Sequence, residues 1–128
     1  MGKKRIFKIK IFARWLKSSE LTDRDLVGAV MGISKGLYDA DLGCNLFKKR
    51  IAIGNRGKSH GVRTIVATKL SSHWFFIFGF EKNERANINN VELAYLQKTA
   101  KALLESITSK IEKLLNDKVL IEVKHGSY

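Results

Sequence analysis

The chain has no proline, one cysteine and no uncharged stretch longer than the eleven residues of Leu70 to Phe80. Each shortage excludes something. A lone Cys44 rules out an intrachain disulfide and a cysteine-built zinc site, and fits a reducing cytoplasm. Eleven uncharged residues cannot form a membrane-crossing helix, which needs about 20 apolar residues. The basic start, Met1-Gly2-Lys3-Lys4-Arg5, is followed by no continuous apolar run or cleavage site, so a signal peptide is not expected. No spacing of His, Asp or Glu suggests a metal site, and no cofactor is expected. Repeats, low-complexity runs and linkers are also missing. The 128 residues therefore read as a single domain, 1–128, whose 45% hydrophobic content is enough for a packed core.

Acid is the scarcest commodity, and its scarcity is local. The net charge is +12, yet residues 20–41 carry five acids against two bases, and residues 81–128 are nearly balanced. The excess lies in residues 1–19 and 42–80, each with seven Lys or Arg and no Asp or Glu. Solvated surfaces usually mix both signs, so two acid-free segments point to a polyanion as partner. If they meet in space, the amino-terminal cluster and the mid-chain cations form one unpaired cradle for an RNA phosphate. An anionic membrane is a poorer match, since no helix joins this charge to a strongly apolar face.

What is present reads as an α+β chain. Alternation from Arg5 to Ile11 predicts a strand, and Phe12 to Lys17 a helical turn. Thr22 or Asp23 caps a second helix that runs to Lys35 and stops at Gly36. A loop rich in Asp and Gly follows. Leu46 to Ile53, Val62 to Lys69 and His73 to Phe80 predict three strands in an antiparallel meander. Asn89 and Glu92 form a capping box for a long helix that breaks near 106–109, and Val119 to Val123 is a short last strand or extended tail. The order β-α-α-β-β-β-α predicts helices over one sheet face, leaving the other face to display Lys and Arg.

Several motifs carry chemistry. Gly54-Asn55-Arg56-Gly57-Lys58-Ser59 imitates a phosphate-binding loop, but Ala52 stands where the first glycine belongs and a strand follows instead of a helix. A basic hairpin loop, with Arg56 and Lys58 reaching RNA, fits better. On the strand before it, Lys48 and Arg50 share one face while Lys49 points oppositely, and Arg63 begins the next strand. Such cations suit a phosphate whose charge rises during phosphoryl transfer. His60, in the loop, titrates near neutrality. Lys82, Asn83 and Arg85 follow the aromatic strand and could meet phosphate or base, whereas Glu84 reads as a helix-entry charge. His73 and the run Phe75, Phe76, Phe78 and Phe80 read as packing, as do Trp15 and Trp74.

These pieces, in this order, resemble the RelE superfamily of toxins from type II toxin–antitoxin systems, in a RelE/HigB-like branch with Gly-Lys-Ser in the loop. The resemblance rests on Ile11-Phe12-Ala13-Arg14-Trp15, Gly36-Leu37-Tyr38-Asp39-Ala40-Asp41-Leu42-Gly43, Phe47 to Ala52, Gly57 to Thr64, and Trp74 to Ile88. It covers most of residues 5–90, the family core, and leaves 90–128 as a carboxy-terminal helical segment and tail. It implies a RelE-like antiparallel sheet with two amino-terminal helices and the carboxy-terminal helical segment packed on it. It also implies a bacterial, cytoplasmic endoribonuclease that cuts mRNA, free or on the ribosome, without metal. The resemblance places the family's strand cations on Lys48, Arg50 and Arg63 and its late basic group on Lys82 or Arg85. Joined to the residue reading above, the candidate catalytic set is Lys48, Arg50, His60, Arg63 and Arg85, with RNA held by Lys49, Arg56, Lys58, Lys82 and Asn83. An antitoxin with a helix-turn-helix DNA-binding domain is the implied partner. Members that cleave well often carry a tyrosine near the chain's end; Asn87-Ile88-Asn89 has no aromatic, and Tyr128 lies in the tail. Two other readings stay open, a translation inhibitor that grips RNA or ribosome without cutting, and a ParE-like gyrase poison.

Overall fold

The computed structural model describes residues 4–53, 61–82, 84, 85 and 87–124. Strand β1, Arg5–Ile9, passes directly into helix α1, Lys10–Ser18. The predicted strand is cut short because helical spacing puts Phe12, Ala13 and Leu16 on one buried face. Ile11, expected to extend the strand, stands 63% exposed on the first helical turn. Helix α2, Asp23–Ser34, opens with a capping box between Thr22 and Asp25. It ends where Gly36 adopts φ +83°, a left-handed stop that costs glycine little.

Strand β2, Ala40–Gly43, pairs antiparallel with β3, Leu46–Ile51. Cys44 and Asn45, both at positive φ, make the tight turn between them. β4, Val62–Thr68, and β5, His73–Glu81, complete the predicted meander. Helix α3, Asn90–Leu104, carries the expected capping box of Asn89 and Glu92, and the predicted break separates it from α4, Thr108–Asn116. β6, Leu120–Glu122, closes the chain order. The sheet runs β2-β3-β4-β5-β1-β6, with β1 parallel to β5 and every other pair antiparallel.

The prediction that helices cover one face alone is overturned. Helices pack on both. Phe12, Leu16, Leu26, Val30 and Ile33 of α1 and α2 join Phe47, Val66, Trp74 and Phe76 in one core. Leu96, Ala100, Leu103 and Ile111 of α3 and α4 join Phe7, Ile65, Phe75 and Ile77 in another. The sheet is thus the middle of three layers, and each fully buried Phe or Leu contributes about 1.5–3 kcal/mol. Strand β4 explains the need, because all its residues are buried and alternate residues must find apolar cover on both sides. Close approach fixes α1 on its face. The Trp15 ring lies so tightly on Gly79 of β5 that an added Cβ would collide with it.

Candidate nucleic-acid interface

Strand alternation and register place the basic side chains. Leu46 and Ile65 belong to the α3-side core, so Lys48 and Arg50 on β3 and Arg63 on β4 lie on that same face. Arg50 and Arg63 are direct cross-strand partners. Like charges so placed repel. Part of the repulsion is offset by Asp39, whose carboxylate lies 3.2 Å from Arg50 Nε and also accepts the Arg50 backbone N–H. Asp39 reaches this place because its own N–H donates to Lys48 O at 2.8 Å, continuing the β2–β3 pairing.

Arg63 is the most confined of these cations. It is 9% exposed, and its buried Nη1 has no hydrogen-bond partner among the described residues. Burial holds its pKa below the ordinary arginine value, the charge of Arg50 lowers it further, and Asp39 acts in the other direction. Phe80 stands directly across from it on β5. The result is a buried guanidinium beside a second one, both on a face where an anion would supply what the described residues do not.

Arg85 follows β5 and sits over the Phe78 and Phe80 rings, 5.9 and 5.8 Å from their centroids. Its guanidinium is already engaged. Nη1 donates to Glu92 at 2.8 Å and Nη2 to the other Glu92 oxygen. That hydrogen bonding raises the pKa of Arg85 and lowers that of Glu92. Glu92 also caps α3 by accepting the Asn89 N–H at 2.9 Å.

The sequence that builds this fold is matched over residues 4–123 by the family model described as "RelE toxin of RelE / RelB toxin-antitoxin system". The chain belongs to the RelE toxin family. The toxin therefore comes from a toxin–antitoxin system, and the family implies an antitoxin partner and RNA or the ribosome as the class of target. No curated protein matches it. Among the described residues no helix is long and apolar enough to cross a membrane.

The toxin's expected site residues meet several fates, and one of them, Arg85, is held by Glu92. Lys48, Arg50 and Arg63 come together on one face, as the alternation predicted. Lys49 is on the opposite face, where its Nζ donates to Leu37 O at 2.7 Å beside the end of α2. Lys82 is exposed beyond β5, while Arg56, Lys58, His60 and Asn83 lie outside the described residues. The amino-terminal cluster does not join the cradle, which corrects the expectation of one converged face. β1 is separated from β3 by β4 and β5, Arg5 is bound to Glu122 at 2.9 Å, and Lys8 is bound to Asp23 at 2.9 Å. Nor is the cradle wholly unpaired, since Asp39 attends Arg50. Sequence reasoning missed both Asp39 and Glu92 as partners. Glu92 was visible only as a cap. Asp39 was hidden in a segment read as loop, and recognising β2 would have set it beside Arg50.

Proposed function

We propose that the toxin is a cytoplasmic endoribonuclease that cuts mRNA, free or on the ribosome, and so stops translation. One observation carries this reading: the Arg50–Arg63 pair presents two guanidinium groups on one sheet face, and among the described residues the buried Arg63 Nη1 and Arg50 Nε have no hydrogen-bond partner. Asp39 lies 3.2 Å from Arg50 Nε as an ion pair only. A phosphate diester there relieves the repulsion and satisfies the orphan donors. In the cleavage step the RNA 2′-hydroxyl oxygen attacks the adjacent phosphorus and loses its proton to a base. The P–O bond to the next nucleotide's 5′ oxygen breaks, and that oxygen takes up a proton. The products are a 2′,3′-cyclic phosphate and a 5′-hydroxyl. Arg63, Arg50 and Lys48 stabilise the extra negative charge of the phosphorane, which is where preorganised donors act most strongly. His60 is the proposed proton carrier, with a lysine as the other choice. The nucleophile belongs to the substrate, so this chemistry asks for no metal.

A second reading has its own support. Arg85, expected to be a further phosphate contact, is held by Glu92, and residues 87–89 offer no tyrosine. A toxin that binds RNA or ribosome without cutting would need only the cradle. Expression from a tightly controlled promoter, followed by primer extension on cellular mRNA, separates the readings. Cleavage predicts new 5′ ends and growth arrest, both lost in Arg63→Ala. Arrest without new ends supports the binder, and DNA damage with translation intact supports a gyrase poison. The partner is proposed to be an antitoxin with a helix-turn-helix domain and an acidic segment that covers the basic face.

A further inference from the structure

The cradle occupies one end of the β3–β4 ladder. At the other end, on the same face, lies a separate cavity of about 460 Å³ that the proposed cleavage chemistry does not use. It is lined by Asn45 in the β2–β3 turn, Lys69 just after β4, and Gln97, Lys98 and Lys101 on α3. Its walls are fixed. Cys44 and Asn45 hold a left-handed turn, and Gln97 Nε2 donates to Leu42 O at 2.9 Å, tying α3 to β2. Lys69, Lys98 and Lys101 are exposed, and none has an ion pair among the described residues. Glu105, also on the wall, brings one opposing charge.

We propose that this cavity is a second phosphate subsite, which holds the backbone of the same RNA strand a few nucleotides from the scissile bond. The inference rests on the RNA reading of the cradle and extends it. Register carries the argument. Arg50 pairs with Arg63 and Leu46 with Ala67, so the cavity begins five or six residues along the ladder, roughly 17–20 Å away at about 3.3 Å per residue. Lys48 lies between, on the same face as Arg50. The cations thus mark a line, Arg63 and Arg50, then Lys48, then the three lysines of the cavity. α3 follows the same direction, from Glu92 near the cradle to Lys101 at the cavity. A single strand tracked by lysines along a groove is how sequence-tolerant binding is built.

The test uses the purified full chain and 2′-O-methylated RNA, which lacks the attacking hydroxyl and stays intact. Dissociation constants for a 12-mer and a trinucleotide are measured across a range of NaCl concentrations. Three phosphate contacts in single-stranded RNA account for a log–log salt slope of about 2. The triple variant Lys69→Gln/Lys98→Gln/Lys101→Gln is therefore expected to lose about 2 from the slope with the 12-mer. The 12-mer's advantage over the trinucleotide should shrink at least fivefold. Glu105→Gln should move 12-mer affinity the opposite way, tightening it about twofold. A triple variant with the wild-type slope and the wild-type advantage overturns the subsite while leaving the cradle standing. That holds equally if the same variant weakens the antitoxin, which would make the cavity a protein contact. Failure of the wild-type toxin to bind either RNA overturns the RNA reading itself, and the subsite with it.

Discussion

Arg63 works against the stability of the fold that holds it. Its guanidinium is 9% exposed, one nitrogen is unsatisfied, and its cross-strand neighbour is another arginine. On the proposed function, those costs are what a cation waiting for a phosphate incurs. Arg63→Met should therefore give a protein at least as stable as wild type, by up to about 1 kcal/mol, and inactive as a toxin. Urea denaturation monitored by Trp fluorescence measures the first, and growth on induction the second. A variant destabilised by several kcal/mol would mark Arg63 as a structural residue instead.

His73 gives a pH signature at the same scale. It lies against Phe7 and Phe75, and burial holds its pKa below the ordinary histidine value, helped by Arg5 and opposed by Glu122. The unfolded chain therefore takes up a proton more readily than the folded one. Stability from this site is complete above the unfolded value of about 6.5 and is lost as pH falls through it toward the lower folded value. Melting temperatures between pH 7.5 and 5 should decline less steeply in His73→Gln than in wild type. Parallel declines would assign the effect to other groups.

At the scale of elements, two contacts decide how the layers sit. Trp15 rests on Gly79, and α3 starts from a cap shared with Arg85. Gly79→Ala should destabilise the toxin by about 1–3 kcal/mol, because the ring must move off β5 to admit a methyl group. Wild-type stability in that variant would show that α1 shifts freely. Glu92→Ala removes the side-chain half of the α3 capping box, while the Asn89 side chain still accepts the residue-92 N–H. Stability in chemical denaturation should therefore fall modestly, and Arg85 is released from its carboxylate. If Arg85 serves only to anchor α3, toxicity falls in step with stability. If a freed Arg85 reaches RNA, affinity for RNA rises while stability drops.

The same elements show what was legible in the sequence. The α3 capping box, the meander and the helix break could be read because each depends on neighbours within a few residues. Strand β2 could not, since Asp and Gly are poor strand formers and tolerated only on a short edge strand such as this. Its loss from the reading hid Asp39. The alternation that set Lys48 and Arg50 on one face was right, because period two is enforced by the backbone. The partnership of Arg85 with Glu92 and the pairing of Arg5 with Glu122 depend on tertiary placement, which charge counting along the chain does not contain. Helices on both faces go with the fully buried β4, whose own sequence gives no hint of which helix covers which side.

For the whole molecule, a net charge of +12 favours a polyanion as partner. Among the described residues Arg63, Arg50 and Lys48 form the cradle, with Lys69, Lys98 and Lys101 farther along the same face. Arg5 and Lys8 brace the fold, Lys49 ties β3 to the end of α2, and Arg85 anchors α3. On the proposed function, catalysis falls to the Arg50–Arg63 pair, and the charge away from that face serves steering. Analysis of the ends left on a defined RNA by the purified toxin tests this most directly. Wild type should yield 5′-hydroxyl and 2′,3′-cyclic phosphate ends, with Arg63→Ala folded yet slower by at least about 100-fold, as for loss of a principal transition-state donor. An Arg63→Ala protein that cuts at the wild-type rate would contradict the account.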